Sequence, residues 1–157
     1  MEAATIGTVA QDEQIVGLEL AGEIYGVEIG RIQEIIRVQP ITAVPNGPAF
    51  IEGLTNLRGR VIPVMDLRKR FGLAAPEANR RTRIVVAELG AHTVGLIVDG
   101  VSEVLRVKGE QIEPPSTLVT TADSTFLRGV ARLDERLILL LDPTHILSGT
   151  EQDELAA

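Results

Sequence analysis

The sequence predicts an all-β chain of two similarly built small barrels packed together. Three observations predict it: the chain repeats itself, its apolar segments are short and broken by turns, and no strand–helix–strand rhythm is present. The repeat is the strongest. Residues 15–38 laid on 84–107 match at 8 of 24 positions without a gap: Ile15/Ile84, Val16/Val85, Glu19/Glu88, Leu20/Leu89, Gly26/Gly95, Glu34/Glu103, Arg37/Arg106 and Val38/Val107. A further shift of seven residues lays 50–66 on 126–142, with 6 of 17 identical: Phe50/Phe126, Gly53/Gly129, Leu57/Leu133, Arg60/Arg136, Ile62/Ile138 and Asp66/Asp142. Ordinary composition gives about one or two matches per window. Two copies of one unit are therefore expected at 14–78 and 79–148, between a flexible lead at 1–13 and an acidic tail at 149–157. The repeat alone leaves open whether the copies exchange strands.

Along the first copy, 14–20 and 23–29 read as strands across an Ala21-Gly22 turn. Ile29, Ile32 and Ile35/Ile36 recur at helical spacing, which predicts a short amphipathic helix over 30–36. Pro40, Pro45 and Pro48, with Asn46-Gly47, make 39–49 extended or turn. Segments 54–57 and 61–65 read as strands joined at Arg58-Gly59-Arg60. Asp66 is placed to cap a helix over 67–71. After a small-residue boundary at 72–79, the second copy reads as strands at 82–89, 92–99 and 102–107, a long loop at 108–125, strands at 127–133 and 136–141, and a short helix opened by Pro143. Each copy thus holds about five short strands, and closure into a barrel hides their edges.

Composition narrows the function. A chain of 157 residues can bury a core unaided. It has no cysteine, so disulfides and thiolate chemistry are excluded. A net charge of −7 disfavours nucleic acid and anionic membranes, although a nucleic-acid-binding β-barrel is the rival of another class. Of the four aromatics, Phe50 and Phe126 are repeat-equivalent and read as core rather than as stacking rings. No signal peptide is visible and no apolar run approaches about 20 residues, so a cytoplasmic protein is expected. His92 and His145 are not equivalent and read as surface residues. No phosphate loop, dinucleotide glycine pattern or nucleophile elbow occurs, and Asp66 and Asp142 read as helix caps. No catalytic, cofactor or metal site is expected.

What remains is contact surface. Arg68-Lys69-Arg70 and Arg80-Arg81-Arg83 read as a solvated helix face and a charged linker. Residues 61–65 are apolar on both pleat faces, where a half-solvated strand would alternate. Arg58 stands at an exposed hairpin tip and is replaced by Asp134 in the second copy. It suits a carboxylate on a partner helix about as well as it suits plain solvent. Glu34, repeated as Glu103, points to structure, though its place beside Ile32 and Ile35 also suits a contact surface. Leu118-Val119 is an apolar pair in a polar loop, a candidate docking anchor.

The run Phe50-Ile51-Glu52-Gly53-Leu54-Thr55-Asn56-Leu57-Arg58-Gly59-Arg60-Val61-Ile62-Pro63-Val64-Met65-Asp66-Leu67 strongly resembles the CheW family of bacterial chemotaxis coupling proteins. Tyr25-Gly26-Val27-Glu28-Ile29, the segment 38–44 and Val98-Asp99-Gly100-Val101-Ser102-Glu103-Val104 match the same family in order and spacing, so the resemblance covers about 14–147. It implies two SH3-like five-stranded barrels and no enzymatic activity. It also implies an adaptor between the cytoplasmic hairpin tips of chemoreceptors and the regulatory domain of the histidine kinase CheA, with further CheW copies in rings beneath receptor arrays. By matched positions, it places receptor contacts at Ile32, Glu34, Ile35, Gly53, Asn56, Leu57, Arg58 and Val104. Kinase and ring contacts fall at Ile41, Val44 and Leu118. A coupling protein of a non-flagellar pathway, such as gliding or development, is the nearest alternative. No cofactor, nucleic acid or membrane insertion is implied.

Overall fold

The structure, a computed structural model, describes residues 12–114 and 126–146. The expectations for 1–11, for Leu118 and its loop, and for the tail from 147 lie outside these residues. Strands β1 (Asp12–Leu20) and β2 (Glu23–Glu28) form a hairpin over Ala21-Gly22. A 3₁₀ turn at Ile29–Arg31 leads into β3 (Ile32–Arg37). Strands β4 (Ile51–Leu57) and β5 (Arg60–Asp66) form a second hairpin, and Asp66 then caps α1 (Leu67–Arg70) by accepting the Arg68 N–H at 3.0 Å. The chain continues through β6 (Arg83–Leu89), β7 (His92–Val98), β8 (Gly100–Lys108), a 3₁₀ turn at Gly109–Gln111 and β9 (Ile112–Glu113). It closes with β10 (Leu127–Leu133), β11 (Arg136–Leu141) and a 3₁₀ turn at Pro143–His145.

Three expectations change. The helix over 30–36 is a 3₁₀ turn followed by strand β3, whose residues alternate between half-buried and exposed. Apolar spacing of three and four fits both a helix face and a turn feeding a strand. The β-branched isoleucines, and pairing of Ile35 and Ile36 with Val85 and Ile84, decide for the strand. Asp12 and Glu13 belong to β1 rather than to a loose lead, paired with Lys108 and Val107. The start of the expected long loop holds β9, where Ile112 pairs with Ala131.

The strands form two sheets, ordered β9-β10-β11-β2-β1-β8 and β3-β6-β7-β5-β4. Each sheet takes strands from both repeats. The β1–β2 hairpin joins strands that follow residue 99, and the β6–β7 hairpin joins strands that precede residue 67. The joints are parallel and match in register: Leu140 lies opposite Gly26, and Val64 lies opposite Gly95. Both pairs are related by the sequence repeat. A side chain at Gly26 or Gly95 would meet the Cγ2 of Ile15 or Ile84, so the repeated glycines let the repeated isoleucines pack across the hairpins.

Three apolar clusters result. Ile15, Leu105, Val107, Ala131, Ile138 and Leu140 fill the first sheet, and Leu57, Ile62, Val64, Ile84, Val86 and Ile97 fill the second. In the second sheet Ile36 and Leu57, from opposite edge strands, pack on the same cluster, so the sheet closes on itself. The third cluster lies between the sheets, with Val16, Leu18, Leu20 and Val27 of one hairpin against Val85, Ala87, Leu89 and Leu96 of the other. Each hairpin is therefore apolar on both faces, one facing a barrel interior and the other the seam.

Backbone bonds extend each terminal hairpin, and arginine side chains lock the seam. Asp66 N–H donates to the Phe50 carbonyl at 2.7 Å, and Asp142 N–H donates to that of Phe126 at 2.8 Å, a repeat-related pair. The Arg70 guanidinium lies 4.8 Å from the ring centroids of both Phe50 and Phe126, and its Nε donates to the Ile146 carbonyl at 2.8 Å. Ile146 occupies the repeat position of Arg70 itself, so Arg70 sits where the two halves meet. The expected solvated face at 68–70 is thus corrected. Arg68 is only 5% exposed, holding Asp66 through Nε and Nη2 at 2.9 Å each and Asp99 through Nη1 at 2.9 Å. Asp99 in turn accepts the Ala21 N–H at 2.8 Å, which carries the link from α1 to the turn of the first sheet. Hydrogen bonding to Asp66 raises the Arg68 pKa against the opposing effect of burial, and Asp99 raises it further.

Candidate functional site

The expected contact residues fall into three structural kinds. Ile35 and Val104 are exposed aliphatic side chains, 40% and 51% accessible, at repeat-equivalent positions in β3 and β8. Their partners are equivalent too: Ile35 lies opposite Val85, and Val104 lies opposite Val16. Each therefore stands on an outer strand beside a residue of the central seam. The hairpin β4–β5 repeats the theme, with Val61 exposed and its counterpart Leu137 exposed in β11. Of the apolar run 61–65, Ile62, Val64 and Met65 are buried, Pro63 is half-buried, and Val61 faces solvent.

The second kind is polar. Arg58 and Gly59 turn the β4–β5 hairpin with φ of 52° and 86°, a left-handed pair that twists with the strands. Arg58 is 69% exposed, and its Nη2 pairs with the Glu34 carboxylate. The carboxylate expected on a partner is thus supplied first within the chain. That hydrogen bond and the charge of Glu34 raise the Arg58 pKa. Asn56 serves the same turn: its Oδ1 accepts the Gly59 N–H at 2.9 Å, and its carbonyl accepts from Gln39 Nε2 at 2.7 Å. Strands β3 and β4 lie on opposite edges of their sheet, so Glu34–Arg58 and Gln39–Asn56 span the barrel closure, and the exposed ion pair presents a paired charge at its end.

The third kind is support. Leu57 is buried in the second barrel interior, and Ile32 packs on the central cluster. Gly53 is buried with φ of +147°, and a Cβ there would collide with the Thr42 carbonyl, which pairs with Leu54 in an isolated bridge. These three hold the surface that Ile35, Asn56 and Arg58 offer. Of the ring residues, Ile41 packs against the barrel interior, Val44 is exposed, and Leu118 lies outside the described residues. The structure brings Glu34, Asn56 and Arg58 to one end of the second barrel; Val104 stands on the other sheet.

Sequence reasoning missed the internal partner of Arg58 and the burial of Arg68. No sequence signal marks the first: the repeat sets Asp134 at the position of Arg58, and Glu103 faces Arg136, the counterpart of Arg60, at 3.7 Å. Of the histidines, His145 is exposed and its Nδ1 lies 2.7 Å from Asp142 Oδ2. Among the described residues no group of three or more histidine, aspartate or glutamate side chains is placed to hold a metal ion. No helix there is long and apolar enough to cross a membrane.

A pair of interlocked barrels with matched exposed aliphatics on both defines an interaction scaffold. The comparisons with known proteins give that scaffold its family. The CheW-like domain profile matches residues 14–151. The chemotaxis protein CheW of Klebsiella aerogenes is 39% identical over 132 residues, covering 84% of this chain and 80% of that protein. Protein FrzA of Myxococcus xanthus is 31% identical over 133 residues, covering 83% and 82%. The crystal structure of the scaffolding protein TtCheW from Thermoanaerobacter tengcongensis superposes with a TM-score of 0.81 at 40% identity, covering 88% of this chain and 96% of that one. The chain belongs to the CheW family of chemotaxis scaffold proteins, which act as adaptors and not as enzymes.

Proposed function

We propose that this protein couples the cytoplasmic tips of chemoreceptors to the histidine kinase CheA within chemosensory arrays. The observation that carries the reading is the pairing of Ile35 and Val104, exposed at equivalent positions beside the seam, with the Glu34–Arg58 pair at the end of the second barrel. A helical receptor tip carries both apolar and charged side chains. Dry aliphatic contacts give such a helix affinity, and an ion pair that can exchange partners gives it register. Asn56 and the Gly53-supported strand fix the geometry of that surface. Ile41, Val44 and Leu118 are assigned to kinase and ring contacts. Individually weak interfaces of this kind gain strength by avidity when many are linked. The protein then acts in the cytoplasm, recruited to the membrane through its partners. The likeness to FrzA of Myxococcus xanthus supports a second reading, in which the array serves a pathway other than flagellar control.

The test is charge reversal at the pair. Arg58→Glu places two carboxylates together and should reduce receptor-dependent kinase activation in a reconstituted array by about tenfold, because like charges set against each other disfavour the docked partner. Because Arg58 is exposed, thermal unfolding should stay nearly unchanged. Normal activation by Arg58→Glu refutes the receptor role.

A further inference from the structure

The second barrel carries an arginine strip for which the described residues supply one carboxylate, that of Glu19 on Arg81. Arg37 in β3 and Arg83 in β6 are direct cross-strand partners, a like-charge pair that is ordinarily unfavourable. The repeat-related pair in the other sheet is Gln14 opposite Arg106, so this chain itself shows the neutral alternative. Arg80 lies three residues before Arg83, on a turn built by Asn79: Asn79 N–H donates to Thr82 Oγ1 at 2.9 Å, and Arg81 N–H donates to Asn79 Oδ1 at 2.7 Å. Arg83 Nη1 donates to the Arg80 and Thr82 carbonyls at 2.8 and 2.9 Å, which fixes the guanidinium and leaves its other edge open. Two cavities share Arg80 and Arg83. One, of about 230 Å³, is lined also by Arg37, Val38, Asn79 and Thr82. The other, of about 180 Å³, is lined also by Arg81, Gly100 and Val101. Among the described residues no carboxylate lines the first, and Glu19, paired with Arg81 beside Gly100, is the one carboxylate at the edge of the second, in a chain whose net charge is −7.

We propose that this strip binds an extended acidic segment of a partner protein. Three features select carboxylates along a chain over one compact anion. The guanidiniums are strung across two adjoining cavities rather than gathered around one. Arg81 already holds a carboxylate, that of Glu19. Each cavity also has an aliphatic wall, Val38 in one and Val101 in the other, to receive a side chain between the acids. The fork of each arginine matches a carboxylate in two-point geometry. None of Arg37, Arg80 and Arg83 belongs to the receptor or ring set above, so the outcome is independent of that reading.

The experiment uses the full chain and a fluorescein-labelled peptide of four Glu-Glu-Leu units, followed by anisotropy. Binding is expected, weakening with added salt, and a lysine version of the peptide is expected not to bind. Arg83→Gln copies the other sheet. It should weaken peptide binding at least fivefold while leaving Tm unchanged or raised, because it relieves the Arg37–Arg83 pair. Arg80→Gln should weaken binding without moving Tm. Wild-type affinity in both variants overturns the proposal, as does a lowered Tm in Arg83→Gln, which would make the pair a structural one. Tighter binding of inorganic phosphate or of single-stranded DNA than of the peptide also overturns it.

Discussion

Replacing Arg68 with methionine tests whether the seam depends on a buried charge. The substitution keeps most of the volume and removes a guanidinium that is 5% exposed and satisfies two aspartates and the Pro76 carbonyl. Asp66, itself 3% exposed, would be left buried with its charge unpaired. Removing one partner of such a pair costs about 3–5 kcal/mol. At roughly 2–4 °C per kcal/mol for a chain of this size, Tm should fall by about 6–20 °C. Circular dichroism melts and urea titrations measure the loss. The partners should rank by burial: Asp99→Asn should cost less than Arg68→Met, because Asp99 is 26% exposed and can recover water. The double variant Arg68→Met with Asp66→Asn should be more stable than Arg68→Met alone, since it removes the stranded charge. A loss under about 1 kcal/mol for Arg68→Met, or a double variant no better than the single, would refute the argument.

Three further outcomes are expected. Gly53→Ala drives a Cβ into the Thr42 carbonyl at a φ of +147° and should cost about 2–5 kcal/mol, whereas Gly22→Ala, at φ +83° with nothing within 4 Å, should cost only about 1; paired urea titrations compare them. Burial raises the Asp142 pKa, but hydrogen bonds from Thr144 and His145 outweigh it and hold the carboxyl below its ordinary 3.8. A depressed folded pKa adds stability that is complete above the unfolded value and is lost as pH falls through the folded one, so Asp142→Asn should flatten the fall in Tm below about pH 4. Residues 14–78 and 79–148 expressed separately should each fail to unfold cooperatively, because each sheet needs strands from both; a cooperative melt of either fragment would contradict the interlocked topology.

The legible part of the fold was the part that repetition writes twice. Gly26/Gly95 and Ile15/Ile84 are the same packing contact in two barrels, and Asp66/Asp142 are the same cap. The turn at Arg58-Gly59 was legible because few residues accept two left-handed positions in a row. The strand at β3 was not, because isoleucines three and four apart satisfy two geometries and only pairing with β6 chooses. Strand exchange left no mark, since a hairpin apolar on both faces serves its own half or the other equally well. The contact between Glu34 and Arg58 spans 24 residues and depends on how the barrel closes, which no local pattern records. Arg68 reads as solvated in the sequence because it stands in a run of three cations, and its two aspartates lie 2 and 31 residues away.

Arg70 has a consequence for the kinship of the two halves. A pair of separate, identical subunits would bring two guanidiniums, or two isoleucines, to the same spot. The first arrangement sets cation against cation, and the second leaves both phenylalanine rings without one. Joined in a single polypeptide, one half contributes the cation and the other the carbonyl that steadies it. Covalent linkage thus permits a specialisation that exact mirroring of the parts forbids, and it makes the joined molecule more than a tethered dimer.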